Sequence, residues 1–233
     1  IGSNDGIMLK NFLSQKIPNL GIEPSKNVAQ VAKDKGIEVI TQFFDQHLAK
    51  KIIETHQKAD VILSANVMCH IPYMHSIYEG VKALLKVDGV FIFEDPYLGE
   101  VIEKTSFDQI YDEHIFMFSA LSIRHLANMH DLELINVEPQ ITHGGSMRYT
   151  LANKGVKTVS HNVINLIAKE KKMGLDSKDT YTSFPDSINK IKDDLITLLT
   201  KLKSEGKKVV AYGATSKSTT VTKNNTNPSG VGH

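Results

Sequence analysis

Chemically active side chains cluster near the middle of the sequence, where Tyr111, Asp112, Glu113 and His114 follow one another between apolar residues. An imidazole held in one tautomer by a carboxylate is a better proton acceptor, as a general base near neutral pH requires. A phenol nearby can hold an oxyanion. We therefore expect His114 to be a base with Tyr111 and Glu113 beside it. The alternative is a surface cluster ahead of a helix capped by Ser119.

A second imidazole, His70, follows a strand predicted for residues 59–66, whose middle is almost entirely apolar. In parallel sheets, ligands lie beyond the carboxyl ends of the strands. His70 is therefore expected at the reaction site and Asn66 near a cofactor. A histidine that is merely packed and hydrogen-bonded is the alternative.

The sequence opens with a glycine-bracketed acidic loop, Ile1-Gly-Ser-Asn-Asp-Gly6. Such a loop joins a strand to a helix in a doubly wound domain, where glycines let the backbone approach a ligand closely. It lacks both a cation and the three spaced glycines of a phosphate binder. Its carboxylate suits the ammonium and ribose of S-adenosylmethionine (SAM). A tight turn without any ligand would show the same residues.

Two further features indicate nucleoside binding. Glu23 ends a short apolar strand about twenty residues after the glycine loop, where an acidic residue accepts hydrogen bonds from ribose hydroxyls. Phe43 and Phe44 follow the next strand, and their aromatic area suits a flat adenine ring. The alternatives are a solvent-facing glutamate and two phenylalanines packed in the core.

Strand and helix patterns alternate along the first half of the chain, which predicts right-handed crossovers and a parallel sheet. Residues 132–138 and 146–152 are expected to close the sheet as an antiparallel edge. Between them lies His143-Gly-Gly-Ser146, a turn whose backbone can approach a ligand. The expected fold class is α/β with a Rossmann-like sheet, followed by helices and the start of a second α/β domain.

Three parts are expected: a sheet domain at 1–155 with a truncated first strand, a helical connector at 156–205, and the start of an α/β domain at 206–233. The last part has a strand pattern and then a glycine turn with Ser216 and Lys217. This turn suits an anion such as a pyrophosphate. Both ends look cut, so we interpret the sequence as an internal piece of a longer protein.

The composition is that of an ordinary globular protein. Of the 233 residues, 41% are hydrophobic and 23% charged, and the net charge of +1 disfavours nucleic acid as a partner. The single cysteine, Cys69, excludes a disulfide framework or a cysteine-based zinc site within this stretch. No apolar run is long enough to span a membrane, and no signal peptide is expected. A cytoplasmic monomer is expected.

Taken together, these stretches resemble the SAM-dependent sugar C-methyltransferases that act on nucleotide-activated 4-keto-deoxysugars. The resemblance covers almost the whole chain, and its motifs occur in the family's order. They are Ile1-Gly-Ser-Asn-Asp-Gly6, Gly21-Ile-Glu-Pro24, Phe43-Phe44, Glu94-Asp-Pro-Tyr97, Tyr111-Asp-Glu-His114, His143-Gly-Gly-Ser-Met-Arg148 and Ala211-Tyr-Gly-Ala-Thr-Ser-Lys217.

The resemblance implies methyl transfer from SAM to a sugar carbon, expected to be C-3, through a base-generated enolate. The residues implied around SAM are Gly2, Asn4, Asp5, Gly6, Glu23, Phe43, Phe44 and Asn66. Those implied at the reaction site are His70, Tyr111, Glu113 and His114, with His114 as the base. Those expected to bind the nucleotide sugar are His143, Ser146, Arg148, Tyr212, Ser216 and Lys217.

The family also has a zinc-binding domain that holds its metal with cysteines and supplies a further tyrosine. That domain would precede Ile1, so no metal is expected in this stretch. The competing interpretations are an O- or N-methyltransferase of a small metabolite and a non-catalytic module that binds SAM or a nucleotide sugar. A nicotinamide-dependent dehydrogenase is disfavoured because its spaced glycines are missing.

Overall fold

A computed structural model describes residues 1–210 and Thr220, which form an α/β fold. The strands are β1 (Gly21–Ile22), β2 (Val39–Ile40), β3 (Ala59–Ala65), β4 (Leu85–Pro96), β5 (Leu132–Gln140) and β6 (Ser146–Asn153). The α-helices are α1 (Leu9–Ser14), α2 (Lys26–Asp34), α3 (Gln46–Thr55), α4 (Met74–Leu84), α5 (Leu98–Lys104), α6 (Ala120–Met129), α7 (His161–Lys172) and α8 (Lys178–Ser204). Short 3-10 turns cover Met68–His70, Phe107–Gln109 and Thr142–Gly144.

The first three residues connect two sheets. Strands β1 and β2 pair in parallel, and β3 pairs in parallel with β4. The amino group of Ile1 donates to the Leu63 carbonyl at 2.7 Å, and the Ser3 N–H donates to the Ile22 carbonyl at 3.1 Å. Residues 1–3 thus lie between β1 and β3, at the place predicted for the end of a first strand.

The larger sheet has the order β3-β4-β6-β5, so β5 and β6 close it beyond β4 as the predicted antiparallel edge. Strand β6 runs antiparallel to both neighbours, and β5 is the outer strand at that edge. Alternate residues of β6, including Met147, Tyr149 and Leu151, are buried. A strand this apolar is better placed inside the sheet than at its edge.

Asp88-Gly89, a dipeptide typical of turns, lies within β4. The pairing of β4 with β3 shifts register there, from Leu85 opposite Ala59 to Val90 opposite Val61. A Cβ atom on Gly89 would lie 2.9 Å from the Ala59 carbonyl oxygen. The turn residues therefore form an irregularity in one long strand.

Helix α7 packs with the sheet domain, although a connector was expected to begin at residue 156. Val163 and Ile167 join the core cluster, and the buried Glu170 carboxylate accepts the N–H groups of Ala120 (2.7 Å) and Leu121 (2.8 Å). Those N–H groups begin α6, where an acceptor is needed. Helix α8, by contrast, buries none of its 27 residues.

No helix among residues 1–210 is long and apolar enough to cross a lipid bilayer.

Candidate active site

Two hydrogen bonds orient His114 and define which tautomer its neutral form adopts. Its Nδ1 lies 2.8 Å from the main-chain carbonyl of Gln109, and its Nε2 lies 3.0 Å from the Tyr111 hydroxyl. A carbonyl oxygen can only accept, so Nδ1 carries the proton. Nε2 then accepts from the hydroxyl. The unprotonated nitrogen of His114 therefore faces Tyr111, as a base requires.

His70 is brought next to His114, as the sequence predicted. The two ring centroids are 5.1 Å apart. His70 lies on the 3-10 turn after β3, and its Nδ1 is 2.6 Å from the Glu113 carbonyl. By the same logic His70 donates through Nδ1, leaving Nε2 as its acceptor.

Glu113 contributes its main chain rather than the expected carboxylate. Its carbonyl orients His70, and its side chain is exposed. The group that sets the tautomer of His114 is the Gln109 carbonyl, because it lies against Nδ1. Ser119 also caps α6, with its hydroxyl accepting the Ser122 N–H at 3.1 Å. The cluster therefore leads into the capped helix α6, and it also holds two imidazoles in fixed orientations.

A buried carboxylate, Asp95, lies beneath the His70 turn. Its Oδ1 accepts the Cys69 N–H at 3.4 Å, and its Oδ2 has no partner among the described residues. Burial raises the pKa of Asp95 to about 6. Burial and the Asp95 charge raise the pKa of the Cys69 thiol well above its ordinary value. Asp95 was missed in the sequence, where its position in Glu94-Asp-Pro-Tyr97 was the available signal.

Cys69, His70 and His114 bring possible metal-ligating atoms within 4.8 Å of one another. The Nδ1 atoms of both histidines are occupied by main-chain carbonyls, and Cys69 is buried. The two imidazoles and their carbonyl partners are better suited to proton transfer.

The first loop has the backbone conformation expected of a close ligand approach. Gly2 and Gly6 have φ values of 63° and 77°, and Asn4 has φ 52°. A Cβ on Gly2 would lie 2.4 Å from a methyl of Val67. Only glycine fits there.

Glu23 is joined to the first loop. One carboxylate oxygen accepts the Asn4 N–H and the other accepts the Ser25 N–H, both at 3.0 Å. The carboxylate therefore lies where β1 ends and beside the loop, which is the position expected for a ribose acceptor.

Asp5 does not present the isolated negative charge that the sequence indicated. Lys35 lies 2.8 Å from its carboxylate and lowers its pKa. The cation was missed because Lys35 is thirty residues away in sequence, directly after α2. The ion pair neutralises the loop, which weakens Asp5 as a partner for an ammonium.

The two phenylalanines separate. Phe44 is 3% exposed and belongs to the core, so it is not available to an adenine ring, whereas Phe43 is 68% exposed. Asn66 follows β3 with φ 54°, and its N–H donates to the Glu94 carbonyl at 2.7 Å. Its side chain is exposed at the carboxyl edge.

Two of the expected substrate residues around the glycine turn, Ser146 and Arg148, bond to other residues of the protein. The Ser146 hydroxyl is buried and donates to the Thr142 carbonyl at 3.1 Å. Arg148 pairs with Glu94 at 3.0 Å, with 41% of its side chain exposed. His143 is exposed with φ 53°. Ser146 therefore supports the turn, while Arg148 and His143 face solvent.

The remaining expected substrate residues, Tyr212, Ser216 and Lys217, lie outside the described residues.

The first loop and the two imidazoles contact one segment, residues 66–70. Gly2 packs on Val67. The Cys69 carbonyl accepts the N–H groups of Ile115 (2.9 Å) and Phe116 (3.1 Å), which follow His114 directly. The expected cofactor and reaction residues thus share the carboxyl edge of β1, β3 and β4.

A cavity of about 590 Å³ is lined by residues of α4, α6 and the segment before α6, and none of the expected site residues in the described part of the chain lines it. Its lining includes Pro72 and Phe116, which follow His70 and His114 by two residues each in sequence. Tyr73, Met117 and Ile123 also line it. Its lining is mainly apolar.

This fold and edge define a methyltransferase-type α/β domain, and comparisons with known proteins agree. Residues 1–137 match the family model described as a methyltransferase domain, and residues 141–226 match the C-methyltransferase C-terminal domain. The first match covers more than half of the chain. The chain therefore belongs to the methyltransferase domain family.

Among curated relatives, the C-methyltransferase NovU of Streptomyces niveus is 32% identical over 217 residues. These residues are 93% of this chain and 52% of NovU. The chain therefore spans about half the length of the curated relative it matches. The resemblance to C-methyltransferases drawn from the motifs is confirmed.

Solved structures show the same fold. An S-adenosylmethionine-dependent methyltransferase from Clostridium acetobutylicum ATCC 824 has a TM-score of 0.52 and 13% identity, over 66% of this chain and 82% of that one. A SAM-dependent methyltransferase from Anabaena variabilis ATCC 29413 has a TM-score of 0.50 and 17% identity, over 66% and 75%. The predicted fold class is confirmed.

Proposed function

We propose that the protein containing this chain is a SAM-dependent C-methyltransferase. Its acceptor is C-3 of a nucleoside-diphosphate 4-keto-deoxysugar. The observation that carries the proposal is the geometry at His114, with Nδ1 held by the Gln109 carbonyl and Nε2 facing the Tyr111 hydroxyl. The name of NovU, a C-methyltransferase, supports carbon as the acceptor atom.

The first loop and Glu23 fit SAM. The carboxylate of Glu23 accepts two main-chain N–H groups and keeps further lone pairs for ribose hydroxyls. Residue 2 is a glycine packed on Val67, so no side chain covers the loop backbone at that point. Gly2, Asn4, Gly6, Glu23, Phe43 and Asn66 are the residues that we propose hold the cofactor.

The imidazole supplies the chemistry of carbon activation. A C–H bond beside a ketone is acidic only when the enolate oxygen is stabilised, so a base and a donor must face one sugar. Nε2 of His114 takes the proton, and the electrons of the C–H bond pass into the enolate. SAM, when bound, supplies an electrophilic methyl group on sulfur, which the enolate carbon takes up.

Proton transfer also changes the role of Tyr111. Once Nε2 is protonated it becomes a donor and no longer accepts from the phenol. The hydroxyl proton of Tyr111 is then released toward the enolate oxygen. The ring of His70 is a second imidazole near the base, with its centroid 5.1 Å from that of His114.

Exchange of the sugar proton tests this proposal in the full-length protein. The 4-keto-sugar nucleotide is incubated in deuterium oxide with enzyme, and deuterium at C-3 is measured by NMR. We expect exchange with wild type and a loss of about 10²-fold or more with His114→Ala, as for removal of a general base. The matched control is His125→Ala, because His125 is an exposed histidine on α6.

Other outcomes separate the alternatives. Methyl transfer without exchange, unaffected by His114→Ala, would indicate an O- or N-methyltransferase. Calorimetric binding of SAM without turnover of any keto-sugar would indicate a binding module.

We also propose that the protein is a cytoplasmic monomer with no nucleic-acid or membrane partner. The single cysteine suits a reducing compartment, and the net charge of +1 offers no attraction for a polyanion.

A further inference from the structure

We infer that Gln109 is a positioning residue that couples the turn at Thr142–Ser146 to the base His114. The inference rests on the proposed function, in which His114 removes the substrate proton. Gln109 ends the 3-10 turn at Phe107–Gln109 and is 4% exposed.

Gln109 contacts both parts through different groups. Its main-chain carbonyl accepts from His114 Nδ1 at 2.8 Å. Its side-chain Nε2 donates to the main-chain carbonyl of His143 at 2.7 Å. One residue therefore fixes the tautomer of the imidazole and holds the turn that begins β6.

Other contacts also hold this turn, so its position does not depend on Gln109 alone. Lys104 Nζ donates to the Gly144 carbonyl at 2.8 Å, and the Tyr97 N–H donates to the Gly145 carbonyl at 3.1 Å. The Thr142 hydroxyl donates to the Glu94 carboxylate at 3.1 Å. A shift of this turn would be transmitted to His114 through the Gln109 side chain.

The conformation of the turn needs such contacts. His143 has φ 53°, and it is followed by Gly144 at 79° and Gly145 at 137°. A non-glycine residue in the left-handed region is strained and persists only where its surroundings hold it. The Gln109 amide is one of the groups that holds His143.

Packing alone does not account for a glutamine here. The Oε1 atom of Gln109 is buried without a partner among the described residues. An unpaired buried acceptor is unfavourable, and a methionine of similar shape would avoid it. The amide is explained by the bond that its other end makes to His143.

The test uses the full-length protein and Gln109→Met, which keeps the side-chain length and the main-chain carbonyl. Long-range proton–nitrogen NMR of the histidine rings reports the tautomer of His114. We expect a predominant Nδ1–H form in wild type and a larger share of the Nε2–H form in the variant. The exchange rate at the sugar carbon is expected to fall about tenfold or more, with SAM affinity unchanged.

Gln109→Glu gives a second test, because an ionised carboxylate cannot donate to the His143 carbonyl. It should show the same changes as Gln109→Met. The matched control is Gln30→Met, which alters an exposed glutamine on α2 bonded only locally, to Asp34 at 2.8 Å.

An Nε2–H tautomer in wild-type protein would overturn the inference without any variant. The inference would also be overturned if both Gln109 variants kept the wild-type exchange rate at the sugar carbon and the wild-type tautomer of His114. The tautomer is measured without substrate, so it still tests the role of Gln109 if the exchange experiment shows that the proposed reaction is wrong.

Discussion

The hydroxyl of Tyr111 lies 3.0 Å from Nε2 of His114, on the ring edge opposite the nitrogen that donates to Gln109. The tautomer of the neutral imidazole is therefore defined, and its Nε2 lies next to a group that can change from donor to acceptor as the proton moves.

Tyr111→Phe removes this hydroxyl and keeps the ring, which lies 4.2 Å from that of His114 between centroids. We expect the turnover number to fall about 10²-fold, because a general-acid partner is lost. Steady-state kinetics with the keto-sugar measure the effect. Tyr181→Phe is the control. The Tyr181 hydroxyl donates to the Leu175 carbonyl, and both residues are far in sequence from Tyr111 and His114. Equal activity of both variants would remove Tyr111 from the reaction.

Glu23→Gln replaces one carboxylate oxygen by an NH₂ group that cannot accept the N–H of Asn4 or Ser25. We expect SAM to bind about tenfold more weakly or worse, because a main-chain donor of the loop or of the β1 end loses its acceptor and the ribose loses a charge-assisted bond. Titration calorimetry with S-adenosylhomocysteine measures the affinity. Glu38→Gln, an exposed site that pairs with His56 at 3.0 Å, should bind normally.

Gly2→Ala places a methyl 2.4 Å from Val67 at a φ of 63°. The left-handed conformation alone costs about 1 kcal/mol, and the collision adds to it and displaces the loop. We expect both a lower melting temperature and weak SAM binding. Gly155→Ala separates the two costs, because its φ is 74° and nothing lies within 4 Å of the added methyl. If both variants bind SAM equally well, the first loop is not a cofactor loop.

Asp95→Asn tests the buried carboxyl beneath the His70 turn. Burial raises its pKa from 3.8 to about 6, so its proton is bound more tightly in the folded protein. The carboxyl therefore contributes most stability below pH 3.8, and that contribution is lost as the pH rises through 6. Relative to wild type, the variant should gain on the order of 2 kcal/mol in the free energy of unfolding between pH 4 and pH 7. Denaturant unfolding at both values would detect it, and a pH-independent difference would contradict the buried charge.

Local patterns in the sequence were sufficient to predict much of the fold. Alternating strands and helices predicted the parallel sheet, and polar residues at strand ends predicted that His70 and Glu23 would lie at one edge. Both were found there because parallel strands bring their carboxyl ends together. The order of β5 and β6 was not predictable in this way, since strand partners depend on pairing across the sheet.

Contacts between distant residues escaped prediction. Lys35 neutralises Asp5 across thirty positions, and the Gln109 carbonyl takes the place expected for the Glu113 carboxylate. Main-chain acceptors have no sequence signature, because every residue carries one. Likewise, Phe43 and Phe44 have the same side chain, and only the path of the chain buries one and exposes the other.

The account depends most on His114 and the methyl donor facing the same carbon. A crystal structure of the full-length protein with S-adenosylhomocysteine and the 4-keto-sugar nucleotide measures this directly. The account predicts His114 Nε2 within about 3.5 Å of the sugar C-3, with the cofactor sulfur on the other face of that carbon. An imidazole on the opposite side of the sheet from the cofactor would contradict it.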